Sequence, residues 1–462
     1  MPHATLAEHT HQLEALAQRL GLDYYPIDFE VVPANFMTEI AVYGLPVRMP
    51  HWSFGIRYIH QLIRQSMGHS RIFEVMFPGN PCHAYLVRDN SVAENTLVVA
   101  HVIGHADFAK HNQLFARFMT MGGGQILEQA AERARAIERA LVEHGQERVE
   151  QILDAAFALE PHIDIHQPLY RAPYAEAKVA ELTPSLRDEF SLRFQALPGE
   201  QRSVKHEAAA LKAPEALPPS REYDLLWFIA HYAPDLQGWE RDIFLAVREE
   251  SFYFYPVFAC QIMNEGWASY WHARLLREAE FLPSALYLAA LKAHSDVVRP
   301  FAADHQLALS INPYHLGFSI WEDIVERQGI DVARQICREE DDFGFIRNYL
   351  TQALANQLDL FVYEADREGG IRITDKNIHA IREAILAPKF NYGAPRIAVK
   401  AVHTDGSLEL VHDVAEDGRG LDLPRAERVM EYIARVWRRP VSLHTVGMNG
   451  QPRVLGNVQQ VD

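Results

Sequence analysis

Two histidines four residues apart, His101 and His105, interrupt an apolar run in HVIGHADFAKHN, residues 101–112. On a helix they lie about 40° apart in projection, so both imidazoles can reach one ion. Glu94 and Asn112, each seven residues from one of the pair, project to the same face. Gly104, between the histidines, leaves room for another element to approach closely, whereas Asp107 projects to roughly the opposite side. In a chain with 23 histidines such a pair also arises by chance. Burying two imidazoles in an apolar helix nevertheless costs free energy unless each is hydrogen-bonded or coordinated. The second constellation is MNEGWASYWH, residues 263–272. If it is helical, Glu265, Ser269 and His272 share a face, and a carboxylate among so many aromatic rings needs a partner.

Two histidines from one helix and a glutamate from a later one match the ligand set of the gluzincin metallopeptidases, whose third ligand often lies in an EGWA-like string. His101, His105 and Glu265 would hold a divalent metal, zinc by preference, with one coordination position left open. His272 is an outer candidate. The HExxH pattern needs a glutamate directly after the first histidine as general base. This chain has Val102 there, and a valine cannot take a proton. Glu94, Glu249 or Glu250 can substitute only if folding brings one near the bound metal. Arg248-Glu249-Glu250 precedes Pro256, which either kinks the helix and turns a carboxylate inward or leaves a solvated charge cluster. Asn312-Pro313-Tyr314-His315 reads as a turn before a helix. There Tyr314 or His315 either donates to a developing oxyanion or serves turn and packing roles. The MGGG segment at 121–124 lacks the Lys-Ser/Thr of a phosphate loop.

The elements that must carry these residues are mostly helices. An amphipathic helix spans 3–20, a strand-like stretch YYPIDFEVVP follows, and another helix covers 51–65. RIFEVMF and CHAYLVR flank PGNP as a β-hairpin. Ser91 to Glu94 forms a capping box that opens the histidine helix, which is expected to run on until the glycines at 122–124. A charged helix covers 125 to about 160, and residues 161–220 read as a Pro-rich excursion. Helical patterning returns over 221–390, interrupted at Pro256, with FIRNYLTQALANQLDLF as one late helix. Hairpins at Asp405-Gly406 and Asn449-Gly450 flank a helix opened by Pro424. The expected architecture is therefore mainly α. Residues 1–160 and 221–390 form one large helical, gluzincin-like body with small β-hairpins, and 391–462 a small α+β domain of ββαββ order.

The composition narrows the function. The 462 residues carry 44 Lys+Arg against 61 Asp+Glu, a formal charge of −17. That balance disfavours nucleic-acid binding, which needs a basic footprint, and docking on anionic membrane. No apolar run approaches 18 residues, so no membrane insertion is expected. MPHATLAEHTHQLEAL lacks the regions of a secretory signal. Cys82, Cys260 and Cys337 are scattered and form no CxxC, which points to a reduced, cytoplasmic compartment.

HVIGHADFAKHN, RDIFLAVREESFYFYPVF followed by MNEGWASYWH, INPYHLGFSIWEDI and FIRNYLTQALANQLDLF together resemble, in one order, the SpoVR family, the stage V sporulation protein R type. The family's histidine motif falls on His101, Gly104, His105, Asp107, Phe108 and His111-Asn112, with His111 where asparagine is more usual. Its NEGWASYWH string falls on Asn264 through His272. The resemblance implies a cytoplasmic bacterial protein of spore cortex formation, or of stress and stationary-phase physiology. It also implies two partners, a PrkA-type serine kinase and a von Willebrand A-like protein. Two functions stand as expectations. One is metal-dependent hydrolysis of an amide bond in a cell-envelope or stress programme. The other is a non-catalytic regulatory or scaffold role, with the histidine–glutamate cluster as a structural polar network.

Overall fold

The computed structural model describes residues 2–66, 74–122, 126–174, 217–298, 312–365, 371–447 and 450–456. Most of the Pro-rich excursion expected at 161–220 therefore lies outside the described residues. Among the described residues helices predominate, accompanied by three small sheets. No helix is long and apolar enough to cross a membrane.

The histidine helix, Val92–His111, sits at the centre of the larger core, and every side chain from Asn95 to Ala109 is buried. A helix without a polar face is one that others surround. Its capping box forms as the sequence indicates: Ser91 Oγ accepts from Glu94 N, and the Glu94 carboxylate accepts from Ser91 N at 2.7 Å. It ends earlier than expected, at Asn112. The Asn112 Oδ1 accepts from Leu114 N (3.0 Å) and Phe115 N (3.3 Å), which starts a separate helix, Gln113–Gly122. Its Nδ2 donates to the carbonyls of Cys337 and Glu340, both at 2.9 Å, so a remote segment fixes the break.

The glutamate helix, Gln261–Glu278, crosses the histidine helix closely. A Cβ on Gly104 would stand 2.7 Å from Ala268 Cα, so only glycine allows that approach. On its other side the Tyr314 helix, Pro313–Gln328, packs glycine to glycine: a Cβ on Gly266 would overlap the Gly317 backbone, and one on Gly317 would overlap Ile262 O. Its rotation is pinned at both ends of the crossing. Asp342 accepts from Ile262 N and Met263 N, each at 2.9 Å, and pairs with Lys389 at 3.0 Å. Asp107 accepts from Trp267 Nε1 and from Asp23 N, each at 2.9 Å. These contacts turn Glu265 toward the histidines.

Three further helix boundaries differ from expectation. Pro256 does not interrupt its helix, which runs from Gly238 to Ala259; Cys260 N still donates to Pro256 O at 2.9 Å. The 125–160 segment is two helices, Ile126–His144 and Gln146–Ala158, separated by Gly145 at φ +82°. FIRNYLTQALANQLDLF splits into Asp342–Tyr349 and Gln352–Gln357, because Thr351 Oγ1 accepts from Leu354 N and caps a new helix.

Strands β1 (Ile27–Val32), β2 (Glu74–Phe77) and β3 (Cys82–Val87) form a sheet in the order β1-β3-β2. The β2–β3 pair is the antiparallel hairpin, with Glu74 opposite Leu86, and β1 adds in parallel along β3. A hairpin that sequence reading passed over, β4 (Val362–Ala365) with β5 (Ile371–Asp375), follows the helices. The last strands, β6 (Ile397–Val402), β7 (Leu408–His412), β8 (Val441–Val446) and β9 (Pro452–Leu455), form one sheet in that order. The helix Leu423–Trp437 makes the crossover between the parallel pair β7 and β8. Met430, Ile433 and Trp437 of this helix share a core with Leu410 and Leu443 of the sheet and with Leu153, Phe228 and Phe244 of the helical body.

Candidate metal centre

His101 and His105 face the glutamate helix where Gly104 draws it in, and Glu265 meets them there. Both histidine Nε2 atoms lie 3.5 Å from Glu265 Oε2, and one donor atom from each of the three residues fits within 4.8 Å of the others. A separation of 3.5 Å is long for an N–H···O hydrogen bond, which favours 2.7–3.2 Å. It is close to the edge of a coordination tetrahedron: donors at 2.0–2.1 Å from one ion stand about 3.3–3.4 Å apart. His101 Nε2 and Glu265 Oε2 are buried and have no hydrogen-bond partner among the described residues. Two orphaned donors aimed at one point fit a cation.

The outer nitrogens are also committed. His105 Nδ1 lies 2.9 Å from Asn264 Oδ1. An amide oxygen only accepts, so Nδ1 carries a proton and Nε2 is the nitrogen that faces Glu265. His101 Nδ1 lies 2.8 Å from His272 Nδ1, and His272 Nε2 lies 2.5 Å from His294 Nδ1. Protons passed outward along this chain leave His101 Nε2 free as a ligand. Both nitrogens of His272 are thereby used, so the outer metal candidate orients His101 instead of joining the donor set. A partner of this kind is worth about 10–100-fold in metal affinity. We expect His272→Phe to weaken zinc binding by that factor in a chelator competition, with the thermal midpoint of the metal-free protein little changed. Unaltered affinity would remove the orienting role.

Charge arrangement follows from the same geometry. Burial drives His101 toward its neutral form, and the neighbouring His105 adds to this. Burial also opposes charge on His105, but Glu265 outweighs it and raises the pKa. Burial by itself would raise the Glu265 carboxyl; the charge of His105 and contacts with both rings bring it down to about 2. The metal-free site is thus a Glu265 carboxylate with a proton on His105. A cation must displace that proton, so its affinity falls as the pH is lowered.

Two further groups face the trio. Tyr314 stacks over His101 with ring centroids 5.9 Å apart at 27°, and its hydroxyl hydrogen-bonds the Glu265 carboxylate. Glu74, the first residue of β2, places Oε1 3.9 Å from His101 Nε2. Burial, and then the charge of Glu265, push its carboxyl up to about 7. Sequence reading missed Glu74. The only signal was a carboxylate within the otherwise apolar run IFEVMF.

The remaining candidates stand elsewhere. Glu94 is spent on the helix cap, seven residues and about 10 Å along the axis from His101. Glu249 pairs with Arg133, and the fully buried Glu250 accepts from Arg48 Nε at 2.8 Å. Both belong to a helix whose apolar residues join the second core, and there arginines neutralise them. His315 hydrogen-bonds the Val298 backbone instead of the centre. Val102 is fully buried in the main core.

The family model described as SpoVR like protein matches residues 2–393. A protein of Escherichia coli (strain K12) named "Uncharacterized protein YcgB" is 26% identical over 479 residues, covering 96% of this chain and 92% of that one. No solved structure matches this fold.

Proposed function

The chain belongs to the SpoVR-like family, and from that premise we propose that it is a metal-dependent amide hydrolase of the cytoplasm, serving sporulation, spore-cortex or stress-linked cell-envelope physiology. One observation carries the reading: three donors converge within 4.8 Å, both histidines 3.5 Å from Glu265, and two of the donor atoms are buried without a partner among the described residues. His101, His105 and Glu265 would hold a divalent metal, zinc by the character of the donors, which when bound supplies Lewis acidity and a nucleophilic water at neutral pH.

The chain's own groups then divide the work. Glu74, 3.9 Å from His101 Nε2, would take a proton from the attacking water and return it to the leaving amine. It would supply what Val102 cannot. The Tyr314 hydroxyl is placed to donate to the oxygen that becomes negative as water adds to the carbonyl. Asn264 and His272 keep the two imidazoles in the required tautomer.

The test is to incubate zinc-loaded, untagged protein with purified peptidoglycan and measure new free amines by mass spectrometry. Glu74→Gln should lower turnover about 100-fold or more, the usual weight of a general base, while zinc content stays unchanged. Absence of new amines, or full turnover by Glu74→Gln, would overturn the reading. One residue favours a second reading. The buried Val102 in place of the HExxH glutamate fits a non-catalytic scaffold working with a PrkA-type serine kinase and a von Willebrand A-like protein. In that case Glu265→Gln changes partner capture and no turnover is found to lose.

A further inference from the structure

A cavity of about 410 Å³ lies where the C-terminal sheet and the helix Leu423–Trp437 meet the helical body. Its floor is apolar, formed by Ile397, Leu410, Met430, Ile433 and Leu443, with Leu225 contributed by the body. The volume falls in the range of small-molecule sites, which favour seams between structural units. One end of the cavity is polar. His162 follows the helix Gln146–Ala158, and its carbonyl accepts from Leu225 N at 3.0 Å, which fixes the backbone. Its ring lines the cavity and has no hydrogen-bond partner among the described residues. Arg425, in the first turn of the helix, is exposed at the rim and pairs with no carboxylate among the described residues.

The acids at this end are already used. Asp417 accepts from His412 Nε2 (3.0 Å), Arg419 Nε (2.7 Å) and Arg396 N (3.1 Å). Asp422 is the helix cap, accepting from Arg425 N at 3.3 Å. The remaining polarity is a cation and an unpartnered imidazole beside an apolar chamber. A neutral apolar guest would leave those groups idle, whereas an anion satisfies both.

We propose that this cavity binds a small organic acid, a compact apolar body bearing one anionic group, with the body on the Met430–Leu443 floor and the anion between Arg425 and His162. Calorimetric titration of the full chain with 2-naphthoate and with its neutral counterpart 2-naphthamide tests this. Naphthoate should bind at one saturable site, at least tenfold more tightly than naphthamide. Arg425→Glu should weaken naphthoate at least tenfold and leave naphthamide unchanged, and Ala426→Trp, which fills the chamber, should abolish both. Arg425 is exposed, so its replacement spares the core and decides the matter even if Ala426→Trp fails to fold. No saturable binding of naphthoate, equal affinity for the two probes, or full affinity in Arg425→Glu would each overturn the site.

Discussion

Replacing His101 and His105 together with alanine is expected to take bound zinc from about one per chain to near zero, since two of three protein ligands are lost. Stability should fall as well, by a different route. In the metal-free protein both rings stabilise the Glu265 carboxylate, and removing them strands a largely buried charge. Breaking such a pair costs about 3–5 kcal/mol when burial is complete, and the partial exposure of Glu265 puts this case at the low end. The pH dependence should invert with it. In the native chain the Glu265 pKa is lowered, so its contribution is present above the unfolded carboxylate pKa and lost in acid. In the double variant the two rings no longer offset burial, which raises that pKa. The stability deficit should then be largest at neutral pH and shrink as Glu265 takes up a proton. Denaturation midpoints at pH 5 and pH 7, beside zinc analysis, check both halves.

The second large effect is expected at Gly266. Its Cα faces the Gly317 backbone at the crossing of the glutamate and Tyr314 helices, and any Cβ there must push one helix away. Overpacking typically costs about 1–3 kcal/mol when side chains can yield. Here the obstacle is backbone on both sides, so Gly266→Val should cost about 3 kcal/mol or more. The same displacement moves Glu265 and Tyr314 apart, so zinc affinity should drop together with the denaturant midpoint. Gly104→Ala meets Ala268 Cα at a less severe 2.7 Å and should show a smaller version of both losses. A Gly266→Val protein with native midpoint and native zinc affinity would mean the helices cross farther apart than described.

The histidine pair is legible in the sequence because its chemistry is local, and Glu265 through the likeness of its string to the EGWA of gluzincins. Histidine, histidine and glutamate are metal-ligand types, and helical spacing puts the two histidines on one face. The capping box at Ser91 was legible for the same reason, being complete within four residues. What sequence reading missed is held by distant partners. Glu74 reaches the site only because β2 pairs with β3 and the sheet packs beside the histidine helix. Val102 stands where the HExxH pattern has its glutamate, and nothing near it in sequence points to Glu74. Glu249 and Glu250 read as free carboxylates because their arginines, Arg133 and Arg48, lie more than a hundred residues earlier. Helix ends follow the same division. Asn112 ends its helix by binding carbonyls at 337 and 340, which no local pattern reveals. Pro256 was over-read, because a helix packed in a core tolerates the loss of one backbone hydrogen bond.

The most direct measurement is X-ray absorption at the zinc edge on untagged protein purified without chelator and then loaded with one equivalent of zinc. The expected spectrum shows a first shell of nitrogen and oxygen at about 2.0–2.1 Å with the outer-shell signature of two imidazoles, and that signature disappears in the His101→Ala/His105→Ala chain. Zinc that remains fully hydrated, a shell containing sulfur, or an unchanged spectrum in the double variant would contradict a metal centre at His101, His105 and Glu265.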